Sequence, residues 1–148
     1  MKKTVEIIEE LKRFIPVDED APESNDILLD NILEDLFENE DAHLVIPSLF
    51  ELMENYPDVD FGAPGTIVHT LETFDGQYEE QLYLSLKREP TVLSVLMLNR
   101  IINSLSDPKE KNENIELLRQ ISISDNINEN AKEEARSFYD YQLKNLVS

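Results

Sequence analysis

In a chain without cysteine, His43 and His69 are the side chains best suited to moving a proton near neutral pH. His69 and Glu72 stand three apart, so a helix can point both the same way, as metal ligands are often arranged. Two ligands are too few for a metal, and His43 has no evident place beside them. A packing or loop role is therefore expected for His69. Asp58-Val59-Asp60-Phe61-Gly62 is like the opening of a calcium loop. Its glycine comes one place early, however, and the twelfth position is His69 where the loop needs Glu. The loop Gly62-Ala63-Pro64-Gly65 lacks the Lys-Ser/Thr that completes a phosphate loop. Acids abound, but nothing singles out two of them as a general acid and base. No catalytic residue, metal or cofactor is expected, and the chain reads as a non-enzyme.

Arg100 stands in an apolar segment beside Asn99, with Asn103 one turn on. A guanidinium drawn into a core needs a carboxylate, because stranding it costs several kcal/mol. Glu72 or Asp60 can supply one. The expectation is a largely buried pair locking loop 57–65 to a central helix.

The elements around these residues read as helices. Residues 4–15 place Val5, Ile8, Leu11 and Ile15 at helical spacing, and Pro16 ends that helix. Ser24 or Asn25 can cap a second helix whose stripe is Ile27, Leu28, Ile32, Leu36 and Phe37. Asp41 can cap a third, to about Asn55, with Val45, Leu49, Leu52 and Met53 inward; Pro47 should kink it or delay its start. Residues 57–65 hold two prolines and two glycines and form the clearest loop. Ile67, Val68, Leu71 and Phe74 give a short helix stopped by Asp75-Gly76. Tyr78 to Arg88 gives another, with Leu82, Leu86 and either Tyr83 or Leu84 inward.

The sixth helix, about residues 91–105, has nine apolar residues in fifteen, distributed around its whole circumference. Such a helix belongs in the middle of a fold. Asp107-Pro108-Lys109-Glu110 combines an N-cap, a first-turn proline and an acid three residues after the cap. That helix ends near Ser122. The last runs from about Ile127 to Val147, with Ala131, Ala135, Phe138 and Leu143 or Leu146 inward. Eight short helices with brief links predict a single all-α domain over 1–148, in sequential antiparallel pairs stacked like a helical-repeat protein.

Charge is distributed unevenly along this chain of 148 residues and net charge −19. Between Arg13 and Lys87 there is no Lys or Arg. Residues 14–86 carry 19 acids, and the other 75 residues carry 13 acids against 13 bases. The domain thus has an acidic half, 14–86, and a charge-balanced half, 87–148. Asp26, Asp30, Glu34 and Glu38 recur every four residues, which puts them on one face of the second helix at about 0.2–0.5 kcal/mol per like-charge step. A merely solubilising surface normally interleaves both signs, whereas a single-sign field suits steering of a basic partner. Asp35, Glu40, Asp41 and Asp58 extend the candidate partner-binding set. A pI near 4.3 argues against direct nucleic-acid binding, which relies on Lys and Arg. Met1-Lys2-Lys3 passes straight into an amphipathic pattern, without the apolar core of a secretory leader. The longest nearly apolar run, Val92 to Leu98, is far short of a membrane span. A soluble cytoplasmic protein with no membrane association is expected.

The stretch Asp60-Phe61-Gly62-Ala63-Pro64-Gly65-Thr66-Ile67-Val68-His69 with Glu72, followed by Arg88-Glu89-Pro90-Thr91 and Met97-Leu98-Asn99-Arg100-Ile101-Ile102-Asn103, resembles a pattern of small acidic immunity proteins. These guard bacteria against polymorphic and contact-dependent toxins. The resemblance spans about residues 57–105 and includes no catalytic signature. It implies an antitoxin that binds and neutralises a cognate toxin, with a basic C-terminal toxin domain as partner. The alternative is a helical adaptor or scaffold whose partner is not a toxin.

Overall fold

Capping side chains and prolines decide where these helices begin. The computed structural model describes residues 1–147, and among them there are eight α-helices and no strand. In chain order they are α1 (Thr4–Arg13), α2 (Asn25–Ile32), α3 (Ile46–Asn55), α4 (Gly65–Thr73), α5 (Glu79–Arg88), α6 (Val92–Ser104), α7 (Pro108–Ser122) and α8 (Glu129–Val147). Two short 3-10 turns, Leu36–Glu38 and Ala42–Val45, lie between α2 and α3. The all-α class expected from the sequence is what the chain adopts. The backbone divides into two compact units, Met1–Gln81 and Leu82–Ser148, with the boundary in the first turn of α5.

In the first unit α1 lies against α3 and α2 against α4, with lighter contacts between α1 and α2 and between α3 and α4. Its buried centre includes Ile7, Leu29, Leu49, Phe50, Phe61 and Leu71. Two expected stripes are corrected here. On α1 the inward positions are Thr4, Ile7 and Leu11, continued by Phe14, while Val5 is 64% and Ile15 77% exposed. Both stripes have helical spacing. The observed one buries the larger Phe14 and satisfies the Thr4 hydroxyl, which donates to Asp41 Oδ1 at 2.7 Å.

On α2 the buried positions are Asn25 and Leu29, followed by Leu33 and Leu36, whereas Ile27 and Phe37 are exposed. The helix stops at Ile32, and Leu36 is turned inward on a separate 3-10 turn. Ser24 caps α2 as expected, its Oγ accepting from Ile27 N at 3.2 Å. Asn25 instead ties the preceding loop: its Oδ1 accepts from Val17 N at 2.7 Å and its Nδ2 donates to Val17 O at 3.0 Å. Pro47 delays the next helix as foreseen. Ala42–Val45 is a 3-10 turn, and α3 starts at Ile46 with the proline in its first turn.

In the second unit α7 and α8 form the most extensive helix pair, and α6 packs on both. Thr91 and Ser94 form a capping box on α6: Thr91 Oγ1 accepts from Ser94 N at 3.1 Å and Ser94 Oγ from Thr91 N at 2.8 Å. Asp107 caps α7 at Glu110 N, 3.2 Å, with Pro108 at the first helical position. On the exposed face of α7, hydrogen bonds from Arg119, and secondarily Gln120, hold the Glu116 carboxyl below its usual range. On α5 the third inward place belongs to Ser85, because Tyr83 is half-buried and Leu84 exposed.

The last helix supplies the sharpest correction. Neither Leu143 nor Leu146 points inward, their exposures being 39% and 49%; Gln142 is buried instead. Its amide Nε2 donates to Asn99 Oδ1 at 2.7 Å and to Asn103 Oδ1 at 2.9 Å, using both N–H groups. A buried amide is tolerable only when so satisfied. Gln142→Leu should strand the buried Asn99 carbonyl and lower unfolding free energy by about 1–3 kcal/mol in urea melts. Adding Asn99→Leu should recover part of the loss, since removing both partners removes the unpaired group. A double variant as weak as the sum of the two single ones would contradict this pairing.

Candidate protein-interaction surface

The acidic residues of the first unit form two classes. Asp30, Glu34, Glu38, Glu40, Asp41 and Asp58 are exposed, whereas Asp26 and Asp35 are half-buried. The face of four expected from their spacing is corrected, because α2 is too short to hold it. Asp26 and Asp30 lie on α2, Glu34 in the turn after it, and Glu38 on the following 3-10 turn. Residues 30–41 still form one continuous acidic segment; Asp58 lies on the loop before α4.

Three of these acids carry internal structure. Asp35 Oδ2 accepts from the backbone N of Lys2 at 2.9 Å, and Asp41 accepts from Thr4, so the segment is tied to the start of α1. Asn39 adds to that tie by donating to Lys2 O and Asp35 O, both at 3.1 Å.

Asp26 has a longer reach. Its Oδ1 accepts from Thr66 N at 2.7 Å, so a carboxylate on α2 satisfies a first-turn amide of α4, forty residues away. Helix starts leave such amides unpaired, and a negative charge there also meets the positive end of the helix dipole. The close approach explains two glycines of the Asp60–Gly65 motif. A Cβ at Gly65 would lie 3.1 Å from Asp26 Oδ1, and one at Gly62 would lie 2.8 Å from Gly65 Cα. Both also hold positive φ, 94° at Gly62 and 78° at Gly65. Asp60 closes the same loop, its Oδ1 accepting from Gly62 N at 2.9 Å. Pro64 follows a cis peptide bond and precedes the first residue of α4.

The remaining residues of the motif lie elsewhere. His69 is exposed on α4 and Glu72 is half-buried one turn on, so of the packing or loop role expected for His69 the packing alternative is corrected. Among the described residues no three of His, Asp and Glu gather as a metal site. Asn99 and Asn103 receive Gln142, as described above. Arg100, expected to be largely buried, is only half-buried. It sits on α6, next to Asn99 and one turn before Asn103. A cleft of about 60 Å³ between α1 and α3, lined by Leu11, Phe14, Leu52 and Tyr56 among others, is far below the ~300 Å³ of ordinary ligand pockets.

The uneven distribution of charge along the chain coincides with the division into two units. Residues 1–81 hold 22 acids and 4 bases, a net −18; residues 82–148 hold 10 acids and 9 bases, a net −1. Three of those four bases face the acids of α1 itself: Lys2 Nζ is 2.8 Å from Glu10, while Lys12 and Arg13 stand 3.9 and 4.0 Å from Glu9. The acids from Asp18 onward therefore dominate the field of this unit. No described helix is long and apolar enough to cross a membrane.

Sequence reasoning missed the roles of Asp26 and Gln142. For Gln142 the signal is present, because Ala131, Ala135, Phe138 and Gln142 continue one helical stripe. For Asp26 there is none, since its partner is forty residues away. Asp26→Ala should cost about 1 kcal/mol of stability, the usual value of a lost N-terminal cap, with Asp26→Asn costing less. Gly62→Ala should cost at least about 1–2 kcal/mol from its positive φ alone. Thermal melts read both: an unchanged midpoint for Asp26→Ala would contradict the cap, and one for Gly62→Ala would contradict the backbone constraint at that turn.

Comparison with protein-family profiles, with curated proteins and with solved structures finds no match to this chain.

Proposed function

We propose that this is a non-enzymatic cytoplasmic binding protein whose acidic unit docks a basic protein, and that the partner is a bacterial toxin domain neutralised by occlusion. The observation that carries the reading is the net −18 of residues 1–81 beside the net −1 of residues 82–148. Concentrating one sign of charge gives no advantage in solubility over the same charge spread out. It does create a potential that draws an oppositely charged surface into encounter and repels nucleic acid and anionic lipid. The toxin identity rests on the resemblance of residues 57–105 to immunity proteins. The charge alone equally serves an adaptor for another basic protein.

A neighbouring gene for a larger protein ending in a toxin domain would favour the immunity reading over the adaptor. Purification of complexes from the native organism supplies the partner for kinetics. Association should then slow markedly with added salt, as the Debye length falls from about 30 Å at 0.01 M to about 8 Å at 0.15 M. Reversing Asp30 and Glu34 to Lys should lower the on-rate by about tenfold or more at low salt and change the off-rate less. Neither residue carries a tie of the kind seen at Asp26, so melting should be little changed. Binding indifferent to salt and to these reversals would reduce the acidic surface to a solubilising one.

A further inference from the structure

The segment 34–44 carries two large apolar side chains outside the core. Phe37 is 53% exposed and Leu44 51%. Isolated exposed apolar residues are common and by themselves call for no explanation. Phe37 differs in being held. Its ring centroid lies 5.5 Å from that of Phe74, with the planes tilted by 34°, and Phe74 is itself buried. One side of the Phe37 ring is therefore fixed against the core while the rest is presented outward. The backbone beneath it is fixed as well, by the bonds of Asp35, Asn39 and Asp41 to the start of α1. A ring already immobilised loses little conformational entropy when a partner covers it. Every charged neighbour in the segment is acidic: Glu34, Asp35, Glu38, Glu40 and Asp41.

We propose that Phe37, backed by Phe74, is the apolar anchor of a docking surface for a basic polypeptide segment that presents an apolar side chain between Lys or Arg residues, with the exposed Leu44, seven residues on, as a second apolar contact. This rests on the charge reading above and adds to it the place and the side-chain chemistry of contact. Charge complementarity selects the occupant. A second copy of the chain would bring another unit of net −18, and nucleic acid would bring phosphates, so both are repelled. An aromatic side chain held in place, with charged residues before and after it in the chain, is the kind of residue that can carry a large share of the binding energy of an interface.

The test uses the full chain, labelled with nitrogen-15, and two synthetic helical peptides of equal positive charge. One is built of Lys and Leu; in the other every Leu is replaced by Ser. The Lys/Leu peptide should shift the amide signals of residues 34–44 and 74, and bind at least about tenfold more tightly than the Lys/Ser peptide. Phe37→Ser or Leu44→Ser should remove most of that difference and leave Lys/Ser binding as it was. If Phe37→Ser unfolds the chain, the wild-type shift map and Leu44→Ser decide the matter. Equal affinities for the two peptides, or shifts centred on other acids, would overturn the anchor and leave the charge reading standing. If neither peptide binds at low salt, the charge reading fails and the anchor falls with it.

Discussion

Mutual repulsion among 22 acids, opposed by 4 bases, is the constraint under which residues 1–81 must fold. A net charge so far from zero works against any compact state. The opposing terms are visible: a centre built from Leu29, Leu49, Phe50, Phe61, Ile67 and Leu71, each almost wholly buried, and a set of carboxylates turned to structural use. Burying a Leu or Phe side chain contributes about 1.5–3 kcal/mol, so a handful of such residues can outweigh many weak repulsions between solvated charges.

The same residue type thus does two jobs. Asp26, Asp35 and Asp41 accept hydrogen bonds from Thr66 N, Lys2 N and the Thr4 hydroxyl, which joins α2 to α4 and the segment after α2 to α1. Charge-assisted bonds of this kind are stronger than neutral ones, and a carboxylate on a helix start also offsets the helix dipole. Glu34, Glu38 and Glu40 alternate with these structural acids and remain exposed. The internal acids fix the segment that displays the external ones. In the second unit, by contrast, acids and bases nearly balance, and the conspicuous polar link is the uncharged Gln142–Asn99–Asn103 cluster.

Much of the fold was legible because it depends on local signals. The Asp107-Pro108 start, the delay at Pro47, the loop at 57–65 and the inward stripe of Ile67, Val68, Leu71 and Phe74 all act within a few residues. Periodicity erred where two stripes were available. On α1 it preferred Ile15 to Phe14, and on α8 it preferred Leu143 and Leu146 to Gln142, since apolar residues are assumed to face inward. Gln142 continues the stripe of Ala131, Ala135 and Phe138, and its partners on α6, 39 and 43 residues away, are what make a buried amide there tolerable. The acidic face was overextended for a related reason: spacing of four implies a helix, but α2 ends at Ile32 and Leu36 turns inward on a separate 3-10 turn. Of the candidate site, the exposure of Asp30, Glu34, Glu38 and Glu40 was legible from their charge, whereas the capping by Asp26 needed the tertiary structure to be seen.

A net −18 confined to residues 1–81 makes a direct demand on the energetics of that unit. Native-state hydrogen exchange at low salt and at about 0.5 M sodium chloride, below and above the ionic strength at which surface charges are screened, measures it residue by residue. Amides of α1 to α4 should gain protection as salt rises, and those of α6 to α8 should change little. Equal gains in both units, or a loss of protection in α1 to α4, would contradict the account.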